Sequence, residues 1–274
     1  MADRLILYTG PSARGWHRLQ TFIECEQRFA WSYIDPARVP PEPTGPLIRG
    51  TLMHLGLAHY YARIRETQQG RDPDRYYDPQ EAIAIFAQAS GPAYLHHAAD
   101  MCECIQAYIH WYEGREDYEV LYVEEAFSAQ IGGYLFTGRI DLIVRDARGL
   151  IWAYDHKGTG HIESAHLQFY SVSGQLIGYR AMLQSHFGAD FQGLKLNLIQ
   201  HGNNNFKFVR PPLLQAPSLQ ARFADTVIHT ERAIEARLAE GRPIDRWPVA
   251  MNEMTCYGRY GACPYIERCK WGRR

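Results

Sequence analysis

The sequence has no excess of charge of either sign: 29 Lys and Arg stand against 30 Asp and Glu, for a formal net charge of −1. Overall basicity therefore does not advertise a nucleic-acid partner, and any contact with phosphates has to come from a local groove. No apolar run approaches the eighteen or so residues of a membrane span. The first residues, MADRLILYTGPSARGW, contain neither the long apolar segment nor the small-residue cleavage site of a secretory signal. A cytoplasmic protein that stays off membranes is the expectation. No internal repeat or low-complexity tract is visible.

What is present is enough for a sizeable core. The chain has 274 residues, 46% of them hydrophobic, which suits one large domain or a core with an appended subdomain. Its six cysteines, in a reducing compartment, read as metal or cluster ligands sooner than as a disulfide framework. They are unevenly spread: Cys25 stands alone, Cys102 and Cys104 sit together, and Cys256, Cys263 and Cys269 crowd the far end. The basic stretch RCKWGRR at 268–274 reads as a solvated tail.

Residues 12–34 look helical, with Leu19, Phe22 and Ile23 on apolar faces, and end at a Pro-rich loop over 35–46. A second helix is expected after Gly50, a polar loop over 67–79, and two helices over 80–114 broken near Gly91-Pro92. Strand composition follows at 119–131, 134–145 and 150–155. Helix returns at 164–187, strands at 194–200 and 206–210, and a helix with many i,i+4 charges at 217–240. This order suits an α/β core with a helical addition placed before it.

The stretch GRIDLIVRDARGLIWAYDHKGTG, residues 138–160, places acids inside two otherwise apolar strands. In the first strand Phe136, Gly138, Ile140, Leu142 and Val144 alternate with a set that includes Asp141. In the second, Ile151, Ala153, Asp155 and Lys157 share a face, and His156 points the other way. The turn sets the register. Ala147-Arg148-Gly149 reads as a three-residue loop with Gly149 in the left-handed conformation, which pairs Asp146 with Leu150. Counting outward brings Asp141 opposite Asp155.

Two like charges so placed are destabilising, and a hard divalent cation, Mg²⁺ or Mn²⁺, fits the gap. The plainer alternative pairs each aspartate with a cation such as Arg139. His54 and His59 are five residues apart, about 140° around a helix, so only one of them can face a shared site. Gln175 and Tyr179 share a helical face, and Gln168 and Val172 extend the same stripe. Glu124 and Glu125 read as solvent-facing or as partners of Arg139 sooner than as catalytic groups. Cys102 and Cys104, about 200° apart on a helix, read as free or buried thiols.

Taken in order, GTLMH, GRIDLIV, YDHKG and QLIGY resemble the motifs of the PD-(D/E)XK nuclease superfamily, in its RecB-like branch that includes CRISPR-associated exonucleases and phage relatives. The resemblance runs from about residue 12 to 270. It implies an α/β fold, a restriction-endonuclease-like core of a mixed central sheet flanked by helices, with a helical insertion and a cysteine subdomain joining the two ends. A single nuclease domain over 1–274 is expected, with cluster-forming ends at 12–34 and 250–270, a helical part at 50–114 and a catalytic core at 119–210. The resemblance makes His54, Asp141, Asp155 and the backbone carbonyl of His156 ligands of Mg²⁺ or Mn²⁺. It makes Lys157 the catalytic base or electrostatic partner, and sets Gln175 and Tyr179 beside the active site and the DNA.

The cysteine pattern C-x6-C-x5-C from Cys256 to Cys269 is similar to the C-terminal cluster of the same branch, whose fourth ligand would be Cys25. Four thiolates suit either a [4Fe–4S] cluster or zinc; the resemblance favours iron–sulfur. The function implied is a metal-dependent DNA exonuclease acting on single-stranded or frayed DNA in recombination, repair or phage DNA processing. Helicase, recombination or CRISPR-type proteins are the implied partners. The competing reading is a catalytically silent subunit that binds DNA or scaffolds a nuclease complex.

Overall fold

The computed structural model describes residues 4–7, 9–10, 12–38, 42–202, 205–258 and 261–272. Residues 39–41 of the Pro-rich stretch, 259–260 of the cysteine segment and the last two of the basic end lie outside the described residues. The architecture is α/β, a mixed central sheet with helices on both faces, as the motif order implies. Strands β1 (Tyr118–Ile131), β2 (Tyr134–Asp146) and β3 (Ile151–Thr159) form an antiparallel meander. Helices α6 (Ala165–Ser171) and α7 (Gly174–Phe187) then cross to β4 (Phe191–Gln200), which runs parallel to β3. Short strands β5 (Lys207–Val209) and β6 (Pro212–Leu213) both pair with β4.

Helices α1 (Trp16–Glu24), α2 (Glu26–Phe29), α7 and α8 (Pro217–Ala239) pack on one sheet face around Leu19, Phe29, Phe136, Ile143, Leu176 and Phe223. Helices α3 (Gly45–Gln68), α4 (Pro79–Ser90) and α5 (Pro92–Tyr112) cover the other face through Leu52, Leu57, Ile83, Ile105, Leu142 and Val144. Burying these aliphatic and aromatic groups on both faces is the main stabilising term for such a sheet.

Several boundaries differ from expectation for local reasons. Helix α3 begins at Gly45, ahead of Gly50, because Pro46 sits in its first turn, where a missing N–H costs nothing. The helix expected over 12–34 breaks at Cys25, whose backbone is extended and whose Sγ caps α2 by accepting from Arg28 N at 3.5 Å; Ile23 faces solvent, 54% exposed. The helix expected over 164–187 breaks after Ser171. Gln168 and Val172 therefore lie outside the Gln175–Tyr179 stripe, and Val172 is exposed. Arg268 is no part of a solvated tail: from helix α9 (Ile266–Trp271) it pairs with Asp35 and Asp245 and lies over the Trp31 ring.

Candidate active site

The β2–β3 turn forms as its sequence requires. Asp146 N donates to Leu150 O at 2.9 Å, and Gly149, at φ +84°, supplies the left-handed residue. The ladder runs from Arg145 opposite Ile151 to Leu142 opposite Tyr154, so the next positions outward are Asp141 and Asp155. There the ladder stops. Asp141 Oδ2 instead accepts the backbone N–H of His156 at 2.6 Å, and both aspartates are buried.

The other edge of β2 is interrupted at the same level. β1 and β2 pair at Val123–Leu142 and at Glu125–Ile140, and Glu124 between them has φ +48°. A non-glycine residue in this region is strained, and the local twist reverses the side alternation. Ile140 and Ile143 pack on one sheet face, Leu142 and Val144 on the other; the five alternating positions expected on one face do not stay there. The same irregularity turns the Glu124 carboxylate inward.

His54, in the middle of α3, completes a compact group. Its Nδ1 lies 3.6 Å from Glu124 Oε1 and 3.6 Å from Asp141 Oδ1. Among the described residues, His54, Glu124 and Asp141 are the three whose ligand atoms all lie within 4.8 Å of one another. Burial works against a charge on His54, but the carboxylates of Asp141 and Glu124 outweigh it and raise its pKa to about 9. Burial, opposed by His54 and reinforced by the Asp155 and Glu124 charges, raises Asp141 to about 7.

Asp155 and Lys157 stand together on β3, with Nζ 2.7 Å from Asp155 Oδ2. That oxygen is fully buried and accepts no well-aligned hydrogen bond. Burial disfavours the Lys157 charge, yet Asp155 and Asp141 hold the ammonium above its usual pKa. The His156 ring points away from this pair. Its Nδ1 meets Asn197 Nδ2 at 2.9 Å, and the ring stacks on Tyr61. Because Arg210 Nε donates to Asn197 Oδ1, the amide presents its N–H to the ring. Burial and the nearby His54, Arg210 and Lys157 charges keep that ring neutral.

Helix α7 supplies the remaining pair, Gln175 Nε2 donating to Tyr179 Oη at 2.9 Å. Tyr179 is admitted by Gly138, since a Cβ there would fall 2.7 Å from its ring. Burial and the charges of Asp155 and Asp141 raise the tyrosine pKa, which puts the hydroxyl in the field of both aspartates. His59, by contrast, is a satisfied core residue that accepts from Leu7 N and sits against Tyr77 O.

A family model described as the PD-(D/E)XK nuclease superfamily matches residues 16–270. The chain belongs to the PD-(D/E)XK nuclease superfamily. Membership implies hydrolysis of nucleic-acid phosphodiester bonds. No curated protein sequence matches the chain. Among solved structures, it is similar to a candidate exonuclease from Eubacterium rectale at 9% identity, covering 93% of this chain and 87% of that one, with a TM-score of 0.48. It is also similar to a protein named SSO0001, at 15% identity over 68% of this chain and 84% of that one, TM-score 0.32. A protein of unknown function from Silicibacter pomeroyi aligns at 18% identity over 48% of this chain and 88% of that one, TM-score 0.16.

For a PD-(D/E)XK chain, the residue that sequence reasoning passed over is Glu124. Its place in the strand reads as solvent-facing or as a partner of Arg139, yet its side chain is 3% exposed. Its carbonyl accepts from Arg139 Nη1 at 2.5 Å. A strict period of two hid it, because the left-handed residue breaks that period.

Four cysteines converge at the other end of the molecule. Cys25, Cys256, Cys263 and Cys269 line one cavity of about 380 Å³, with Trp31, Ile266 and Thr255 also in its wall. Cys102 and Cys104 lie apart on α5, the latter buried.

Proposed function

We propose that the chain is a Mg²⁺- or Mn²⁺-dependent deoxyribonuclease, an exonuclease acting on single-stranded or frayed DNA in recombination, repair or phage DNA processing. The observation that carries this reading is the meeting of His54, Glu124 and Asp141 beside the buried Asp155–Lys157 pair. The donor set fits a hard divalent ion: one imidazole and several carboxylate oxygens, those of the buried Asp155 close by. His54, Glu124 and Asp141 would hold the ion, joined by Asp155 and the backbone of His156. When bound, such an ion lowers the pKa of water and polarises a phosphoryl oxygen.

The chain's own groups do the rest. His156 N–H fixes one oxygen of Asp141, leaving Oδ1 toward His54. Asp155 holds the Lys157 ammonium in place, and that cation offsets the negative charge gathering on the phosphate as the bond to the leaving oxygen breaks. The Tyr179 hydroxyl, oriented by Gln175, stays neutral and so can donate to a substrate oxygen. The binding-only alternative has no residue in its favour, since each of these positions carries a competent group.

The cysteine cavity supports a resident [4Fe–4S] cluster held by Cys25, Cys256, Cys263 and Cys269. Four thiolates suit tetrahedral zinc as well; the likeness of the cysteine pattern to the family's cluster favours iron–sulfur.

The test of the main reading is cleavage of end-labelled single- and double-stranded DNA with Mn²⁺. Wild type is expected to shorten the single strand progressively and Lys157→Ala to lose at least a hundredfold in rate. Equal cleavage by both proteins, or none by either, would sink it.

A further inference from the structure

Arg49 stands on α3 one turn before Met53, on the same helical face. Met53 is buried, and its Sδ lies 3.3 Å from where a Cβ on Gly158 would be. Arg49 therefore leaves α3 one turn beyond the end of β3, with its Nη1 directed back toward Gly45. His201 closes the same corner. Its N–H donates to Thr159 O at 2.9 Å, and its Nε2 lies 2.9 Å from the Gly158 Cβ position. His97 reaches in from α5, with its Nε2 3.2 Å and Arg49 Nη1 3.6 Å from the Cβ position of Gly45. His201 thus stands beside the exposed Gly158 next to Lys157, while Arg49 and His97 meet at Gly45 and the Arg49 charge acts on His201.

Arg49 is half-buried, yet among the described residues it makes no ion pair and no side-chain hydrogen bond. The carboxylate acting on this corner is Asp100 of α5, which pulls on both imidazoles without pairing with Arg49. Burial and then the Arg49 charge depress both histidines, so each is a neutral ring with one N–H to give. A guanidinium partly withdrawn from water, with its fork of donors unused, selects an oxyanion.

We propose that Arg49, flanked by His97 and His201, seats a non-scissile phosphate of the bound strand, beyond the one addressed by Lys157. This rests on the nuclease reading above. Seated there, a phosphate further along the strand would register it so that the scissile bond meets Lys157. Arg49 is a positioning residue and contributes to affinity more than to the chemical step.

The experiment is anisotropy titration of a labelled single-stranded oligonucleotide with Ca²⁺ in place of Mn²⁺, at several salt concentrations. Arg49→Ala should bind about tenfold more weakly, with a salt slope smaller by about 0.7, while Arg49→Lys keeps most of the affinity. In Mn²⁺, KM should rise with kcat little changed. Oligonucleotides carrying one neutral methylphosphonate at successive positions supply a check that needs no mutant. One position should cost wild type what Arg49→Ala costs, and cost Arg49→Ala nothing further. Wild type that binds and cuts beside an unchanged Arg49→Ala, or methylphosphonate losses equal in the two proteins, overturns this inference alone. Wild type that neither binds nor cuts overturns the nuclease reading with it.

Discussion

Glu124 and Asp141 stand level on neighbouring strands with no register pair between them, and His54 lies close to both. Without a cation, the imidazolium of His54 supplies the positive charge that two buried carboxylates require. A divalent ion has to displace that proton, which His54 holds up to about pH 9, and below about pH 7 it also competes with a proton on Asp141. Mn²⁺ affinity should therefore climb as pH rises from 6 to 9 and level off above. Calorimetric titration across that range checks it, and an affinity flat in pH would contradict it. Glu124→Gln removes one of the two anions that raise His54. The imidazole should then titrate below about 9 by NMR, and Mn²⁺ should bind at least tenfold more weakly. The facing of Asp141 and Asp155 was legible in the turn residues, since Ala147-Arg148-Gly149 admits one register. Glu124 was not legible, because nothing in its own letter announces a left-handed backbone.

Among the elements, α3 has the most to position. It carries Arg49, Met53 and His54 and is fixed at its far end by Glu66. That carboxylate, fully buried, pairs with Arg71, Arg65 and Arg75. Its hydrogen bond from Arg71, more than offsetting burial, lowers its pKa to about 2. A carboxyl lower in the folded than in the unfolded chain stabilises the fold above its unfolded value of 4.5, and that contribution fades as pH falls toward 2. Discounted for the half-exposed Arg71, it amounts to about 2–3 kcal/mol. Glu66→Gln should lower the denaturation free energy by that much at pH 7 and flatten its fall between pH 5 and 2. Urea melts at several pH values measure both, and parallel curves for the two proteins would refute it. The helix itself was legible from its apolar spacing. Its start was not, because a proline in a first turn looks in sequence like the end of a loop.

At the scale of the whole molecule, both ends of the chain meet on one sheet face. Gln27 bonds the carbonyls of Pro248 and Ile244, Trp31 Nε1 donates to Asp245, and Arg18 pairs with Glu231. The cysteines join the same seam, so the cluster proposed there is a fastening that hydrolysis itself does not use. Cys263→Ser should abolish the absorbance near ~400 nm expected of iron–sulfur and lower the melting temperature. Cleavage per folded molecule should change less than stability. A colourless wild type carrying one zinc would refute the cluster assignment. Sequence spacing grouped these cysteines only through family likeness, for nothing local ties Cys25 to residues so far along the chain.

That seam has a consequence for synthesis. Helices α1 and α2 emerge from the ribosome long before the groups that cover Phe29 and Trp31, including Trp247, Asp245 and Tyr265. While the whole sheet between them is being made those aromatic faces wait uncovered, a natural hold for a chaperone. A transcript cut short before the cysteine segment would yield a chain with every hydrolytic residue in place and its first helices still undocked.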